Sequence, residues 1–365
     1  MDSLLCDFQG SIADGRQLAI MPVSRFIIEN NFRIGRFVFY PPGNLDLDEL
    51  RTIPNHSIAC SESAEVITLQ GQELREALTS LTGASIDTLR ENMLIAFPTK
   101  INWDTFLQAD HKQDVKLIRR LSEVAEKAMD LIRFNFCHYD LPDTLPGRVG
   151  TWNGSGQHSC ILLYSGRDHE SYLIAGSAIL SSIIVKGLGL ELESLQCDCA
   201  ITVPEEGEVG SIVRHGLSLF SEVMESNSET TKFVRALTLL EYLAAPDMYM
   251  SMKKVKTSIL PHIATDLADY HHLSERFREL TSQKEAASNE QRGFRTLIVH
   301  HGRYLEDILP DDHDRNDLFR ELQRYTTCVL QDMLENSRMT WVEFMEFRIR
   351  LRAKLGLNAA CDEET

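Results

Sequence analysis

The sequence lacks a long uninterrupted apolar run. Its longest apolar stretch, which begins at Ser171, is broken by small polar residues and by Lys186. A membrane-spanning helix needs about 20 consecutive apolar residues, so this stretch predicts buried strands or a core helix instead. The first residues have no basic flank ahead of an apolar segment, so no secretory signal is predicted. We therefore expect a cytoplasmic protein that does not contact membranes.

Paired cysteine motifs are also missing. Only Cys197 and Cys199 lie close together among the 8 cysteines, whereas zinc knuckles use two Cys-x-x-Cys pairs. Disulfides are rare where thiols are kept reduced, so the cysteines are expected to be core thiols. The run Asp168, His169 and Glu170 has no further ligand at metal spacing and predicts a polar turn. The sequence predicts no metal and no cofactor.

Positive charge is scarce. There are 37 Lys and Arg against 54 Asp and Glu, which gives a net charge of -17. Non-specific affinity for nucleic acid comes mostly from neutralising phosphates, so any such contact must be local. One basic cluster, Lys253, Lys254 and Lys256, is predicted to bind RNA. The alternative for these lysines is a solvated helix face.

The length of 365 residues predicts two domains. Residues 1–205 are expected to form an α+β domain, because short segments rich in β-branched and aromatic residues alternate with turn residues there. One amphipathic helix is predicted from Val115 to Ile132. The strand-like segments lie at residues 33–43, 64–71 and 160–166.

Residues 206–365 are expected to form an all-α helical bundle. Apolar residues recur there at steps of three and four, and Gly302 is predicted to end the helix "FRTLIVHH" in the left-handed conformation. A kink is predicted at Pro261. The apolar stripes are Phe233, Leu237, Leu240 and Ala244; Leu318, Leu322, Tyr325, Val329 and Met333; and Trp341, Phe344, Phe347, Leu351 and Leu355.

The stretch "GFRTLIVHHG" places Arg295 five positions before His300. The spacing alone is weak, because "RTIPNH" and "RFNFCH" repeat it. An imidazole titrates near neutral pH, so it can take the proton of an RNA 2′-hydroxyl or protonate the leaving 5′-oxygen. A guanidinium can hold the charge that develops on phosphorus. The alternative is a helix-end ion pair of Arg295 with Glu241 or Asp307, with the histidines capping the helix.

The segments "ALTLLEYL" and "RTLIVHHG" make residues 210–335 resemble the HEPN family, which comprises helical bundles of prokaryotic toxin and antiviral ribonucleases. The similarity is to its Apea-like and abortive-infection branch. It implies that Arg295 is the family arginine, His300 the family histidine and Glu241 the acidic residue that braces them. His301 precedes Gly302 directly, so either histidine can be the catalytic one. Active members often have Asn, Asp or His after the arginine, whereas this chain has Thr296, which is expected to contact RNA.

The resemblance implies a metal-independent endoribonuclease of a toxin or antiphage defence system. RNA would be its substrate, with tRNA as one candidate, and the products would carry a 2′,3′-cyclic phosphate and a 5′-hydroxyl. A homodimer is implied, with two copies of the motif around one groove, and so is an antitoxin or defence-system partner protein. Residues 1–205 would then act as a sensor or scaffold.

Two other functions remain open at this point. The first is a non-catalytic HEPN-like module for dimerisation or protein binding, in which Arg295 is structural. The second is an antitoxin-like or effector-binding partner of another enzyme.

Overall fold

A computed structural model describes residues 4–50, 72–179, 188–192, 201–282 and 292–357. The predicted strand at 64–71, and Cys197 and Cys199, lie outside these ranges. Contacts divide the chain into two compact units, Met1–Met129 with Asp143–Ile201, and Asp130–Pro142 with Thr202–Thr365. The contacts thus group residues 130–142 with the second unit, whereas the sequence groups them with residues 1–205.

The first unit is built on an antiparallel sheet of six strands among the described residues, in the order β3-β4-β5-β1-β6-β7. A separate parallel pair joins β2 to β8. The strands are β1 (Gln17–Val23), β2 (Phe26–Ile28), β3 (Phe32–Ile34), β4 (Phe37–Tyr40), β5 (Met93–Thr99), β6 (Ser159–Ser165), β7 (Glu170–Gly176) and β8 (Leu190–Leu192).

Two prolines lie in the central strands at positions that cost no ladder hydrogen bond. Pro22 of β1 pairs with β5, but the pairing of β1 with β6 ends at Ile20. Pro98 of β5 lies beyond the residues that pair with β4. Proline has no N–H to donate, so it fits a strand only where one side is unpaired.

Short helices and one long helix complete the first unit. They are α1 (Leu4–Asp7), α2 (Gln9–Ala13), α3 (Gln72–Leu81), α4 (Ile86–Arg90), α5 (Trp103–Leu107) and α6 (His111–Phe136), whose last residues belong to the second unit. Helix α6 confirms the helix predicted from Val115, and its stripe residues Ile118 and Ala125 are fully buried. The sheet with its helices confirms an α+β first half.

A buried ion pair joins α3 to the first turn of α6. The guanidinium of Arg75 donates to both carboxylate oxygens of Asp114, at 2.6 and 2.8 Å, and to the carbonyl of Phe106 at 2.7 Å. Both side chains are almost completely buried. Burial raises the pKa of Asp114, and the bonds from Arg75 oppose that rise.

The second unit is helical throughout its described part. Besides the end of α6 it contains α7 (Glu208–Met224), α8 (Glu229–Ala244), α9 (Met252–Ile259), α10 (Leu267–Thr281), α11 (Phe294–His301), α12 (Leu305–Ile308), α13 (Asp312–Glu335) and α14 (Trp341–Lys354). No helix in the described ranges combines the length and apolar character needed to cross a membrane.

The core of this unit lies among α7, α8 and α13. The stripes predicted on α8 and α13 are buried, as shown by Phe233, Leu240, Leu322 and Val329, each with 0% exposure. Their burial is what periodic apolar spacing predicts for helices that share one core.

One prediction in this half was wrong. The kink at Pro261 is instead a helix end, because α9 stops at Ile259 and a 3-10 turn, Leu260–His262, follows. Tyr270 is buried in α10. Its partners Leu273, Phe277 and Leu280 follow at steps of three and four, so the helical period was present in the sequence.

Candidate functional site

The candidate site is centred on the first turn of α11. There the Arg295 guanidinium donates to a carboxylate oxygen of Glu241 at 3.2 Å. Glu241 lies near the end of α8, and both side chains keep about a quarter of their surface exposed, 27% and 25%. Among the described residues this is the single hydrogen bond that Arg295 makes. A guanidinium carries five N–H donors, so four remain for a bound anion.

Helix α11 is held in place by contacts on both sides of Arg295. The Phe294 ring lies 6.4 Å from that of Phe233 on α8. On the other side, the Thr296 hydroxyl donates to the carbonyl of Thr281 at 3.0 Å, at the end of α10. This bond commits the proton of Thr296 to the fold, and its predicted contact with RNA stays a prediction. The first turn of α11 is therefore anchored to both α8 and α10.

Gly293 allows this close approach to α10. A Cβ at position 293 would lie 2.5 Å from the backbone nitrogen of Ser282, closer than real Cβ contacts come. The chain at Gly293 thus lies directly against the end of α10. A side chain here would push α11, and Arg295 with it, away from its supports.

The end of α8 that carries Glu241 is secured by a buried arginine on α14. Arg348 donates to the carbonyls of Leu243 at 2.7 Å and Ala244 at 3.0 Å, which are among the last carbonyls of that helix. Such carbonyls have no partner within their own helix. Only 3% of Arg348 is exposed, and burial lowers its pKa to about 9, so it keeps its charge at neutral pH.

A histidine and an aspartate complete this network. Arg348 also donates from Nε to Nε2 of His262 at 3.1 Å, and Nδ1 of His262 lies 2.6 Å from the Asp332 carboxylate. Both contacts require a neutral imidazole with its proton on Nδ1. Burial lowers the pKa of His262, more than the bond to Asp332 raises it. The sequence interpretation missed this network, because Arg348 lies among the apolar stripe residues of α14.

His300 and His301 form the last turn of α11. Gly302 ends the helix with a φ of 67°, which confirms the predicted left-handed stop. Both histidines are exposed, and neither imidazole is hydrogen-bonded or ion-paired to the described residues. They do not cap the helix, since the Gly302 and Arg303 amides satisfy the carbonyls of Ile298 and Leu297. Either imidazole is accessible to a ligand.

Within one chain Arg295 and His300 are not brought together. Helix α11 runs without a break from one to the other. Five residues of helix correspond to a rotation of about 140° and a rise of about 7.5 Å. Arg295 therefore faces α8, while His300 points to another side. Of the ion pairs considered for Arg295, that with Glu241 is present, and Asp307 instead bonds the backbone of Tyr304.

The other two sequences with this spacing, "RTIPNH" and "RFNFCH", differ from this site. Arg133 is completely buried and pairs with Asp130 at 3.3 Å and Glu225 at 3.8 Å. Arg51 and His56 lie outside the described residues.

The three predicted RNA-binding lysines do not share one environment. Lys253 and Lys256 line a cavity of about 150 Å³ together with Arg278 of α10. Lys254, between them in sequence, is exposed and does not line it. Arg278 is a candidate functional residue that the sequence interpretation missed, because it is distant in sequence from the lysine cluster.

Comparison of this chain with protein-family models, curated proteins and solved structures finds no match. In the part of the chain that the structure describes, no three His, Cys, Asp or Glu side chains are grouped so as to hold a metal ion.

Proposed function

We propose that the second unit is a HEPN-type endoribonuclease of a toxin or antiphage defence system, with the first unit as its sensor or scaffold. One observation carries the proposal. Arg295 and Glu241, 54 positions apart, form an ion pair at the start of a short helix that ends in two exposed histidines. These are the side chains that the resemblance to the HEPN family assigns to the site.

The chemistry follows from the free groups. The remaining donors of Arg295 bind the non-bridging oxygens of a phosphodiester, and Glu241 keeps the guanidinium in place. An imidazole of His300 or His301 removes the proton from the 2′-hydroxyl, whose oxygen then bonds to phosphorus. The P–O5′ bond breaks, and the leaving oxygen takes up a proton from water. The products are a 2′,3′-cyclic phosphate and a 5′-hydroxyl, and DNA resists because it lacks the 2′-hydroxyl.

A two-fold dimer would bring together the two groups that point to different sides of α11, Arg295 and His300. A two-fold axis beside α11 would bring the guanidinium of one protomer to the imidazole of its partner. Two large side chains near His300 offer apolar surface for such a contact, since Val299 is 47% and Tyr304 66% exposed. Within α11 itself, Ile298 is the one residue that is buried.

The first experiment incubates the full chain with tRNA and with single-stranded RNA in EDTA. Removing the general acid or base costs about 10²–10⁴-fold in rate, so His300→Ala or His301→Ala should lose that much, and the other should cut normally. His272→Ala is the matched control, because His272 is an exposed histidine on α10. Equal cutting by all variants would mean that these histidines do no chemistry.

A second experiment tests whether the site is shared between protomers. Arg295→Ala and the inactive histidine variant are mixed after separate purification and allowed to exchange subunits. If each site takes its arginine and histidine from different protomers, a mixed dimer has one intact site and one doubly altered site. Random pairing then restores about a quarter of wild-type activity. No restoration, with subunit exchange verified, would refute a site shared between protomers.

The alternative is a non-catalytic dimerisation or protein-binding module. Arg295 and His300 point to different sides of α11, which favours this alternative. In such a module the ion pair of Arg295 with Glu241 has only a structural role. A chain that dimerises but cuts neither RNA would support this alternative.

A further inference from the structure

A second feature of the same unit is the small cavity between the start of α9 and the end of α10. Lys253 and Lys256 enter it from α9, and Arg278 enters it from α10. Phe277, Thr281 and Ser282 also contribute to its lining. Lys253 and Lys256 are three residues apart and so share a helix face, whereas Lys254 is rotated by about 100° from Lys253.

The charges around this cavity favour an anion. The chain as a whole carries a net charge of -17, yet Lys253 of α9 and Arg278 of α10 both line this cavity. The carboxylate of Glu275 pairs with Arg278 at 3.7 Å, but both side chains are more than half exposed. An exposed pair of this kind contributes about 0–1 kcal/mol, so it competes only weakly with a bound anion.

The volume of the cavity is sufficient for a small anion. A water molecule occupies about 30 Å³ in the liquid, so 150 Å³ holds roughly five waters. Pockets for whole drug-sized ligands measure about 300–1,000 Å³. The cavity therefore has room for a phosphate group.

The cavity adjoins the candidate site through shared backbone. Thr281, which lines it, accepts the hydrogen bond from Thr296, the residue after Arg295. Ser282, also in the lining, is the residue against which Gly293 packs. The cavity and the first turn of α11 are thus fixed relative to each other.

We propose that this cavity binds a backbone phosphate of the RNA strand whose neighbouring phosphodiester lies at Arg295. The inference rests on the proposed ribonuclease function, and it adds Arg278 to the residues that bind substrate. Two positively charged anchors on one rigid frame would set the register of the strand at the cutting site.

The test measures binding of a short 2′-O-methyl RNA, which cannot be cut, by fluorescence anisotropy over a series of salt concentrations. Lys253→Ala and Arg278→Ala should each weaken binding about 5–10-fold and reduce the salt slope by about 0.7, the value for one lost phosphate contact on a single strand. Lys254→Ala is the control, since it removes the same charge from the same helix outside the cavity. Lys253→Arg should restore the slope.

The outcomes separate this inference from the proposed function. A chain that binds the methylated RNA with a slope that depends on Lys253 and Arg278, but cuts no RNA, supports the cavity and refutes the nuclease. A chain that cuts RNA while its cavity variants bind like wild type refutes the cavity alone. Equal weakening by Lys254→Ala would indicate a diffuse field and refute it as well.

Inorganic phosphate provides a separate arm, because a free ion has the same chemistry as a backbone phosphate. If phosphate raises the melting temperature of the wild type but not of Lys253→Ala, while RNA binding ignores Lys253, the cavity holds a free ion. That result would refute the assignment to the RNA strand. Circular dichroism of each variant verifies folding, so a loss of binding cannot be confused with unfolding.

Discussion

Replacement of Arg348 by methionine should loosen the end of α8 that carries Glu241. The variant keeps an unbranched side chain to fill the space but removes the donors to Leu243, Ala244 and His262. Each buried acceptor left unpaired costs about 1–3 kcal/mol. Three acceptors at the low end of that range give a loss of about 3 kcal/mol, because the cost of burying the guanidinium is relieved at the same time.

Native-state hydrogen exchange with mass spectrometry measures this loss locally. Opening at the end of α8 should become about 100-fold more frequent, which corresponds to roughly 3 kcal/mol at 1.4 kcal/mol per tenfold change. Peptides from strand β6 in the first unit serve as the internal control. Arg348→Lys should fall between wild type and Arg348→Met, since an ammonium cannot reach all three acceptors. Exchange at α8 that stays within about threefold of wild type would contradict the role assigned to Arg348.

Two further predictions concern buried titratable groups. Burial holds the pKa of His262 below its ordinary 6.5, so below that pH the unfolded chain binds the extra proton and the second unit loses stability as pH falls. His262→Gln should flatten this decline in urea titrations at successive pH values, and an unchanged slope would exclude His262 as its source. Arg75→Met leaves the Asp114 carboxylate buried without its partner and should cost the first unit about 3–5 kcal/mol. Exchange in strand β1 measures that cost, Arg90→Met at an exposed pair is the control, and a loss below about 1 kcal/mol would contradict it.

The sequence predicts the helices of the second unit well where apolar residues dominate one face of a helix. The stripes on α8 and α13 are periodic, and both are buried. Gly302 is predicted because a left-handed stop has a distinctive residue preference. These features depend on neighbouring residues in the chain.

The sequence predicts less where a contact joins distant residues. Arg348 is polar within an apolar stripe, so no local rule identifies it as the residue that binds the end of α8. Arg278 and Lys253 meet only because α9 and α10 pack together. Periodicity also shows that Arg295 and His300 point to different sides of their helix. It cannot identify a second protomer that would bring the two groups together.

The contact between Gly293 and Ser282 has a practical use for protein engineering. A Cβ at Gly293 would lie 2.5 Å from the Ser282 nitrogen, so these two positions lie at nearly one point although they are 11 residues apart in sequence. Doubling the length of a loop whose ends are held together costs only about 0.6 kcal/mol of closure entropy. A fluorescent reporter or a protease-cleavage sequence could therefore be inserted between Ser282 and Gly293. It would lie close to Arg295, and the backbone on either side would keep its position.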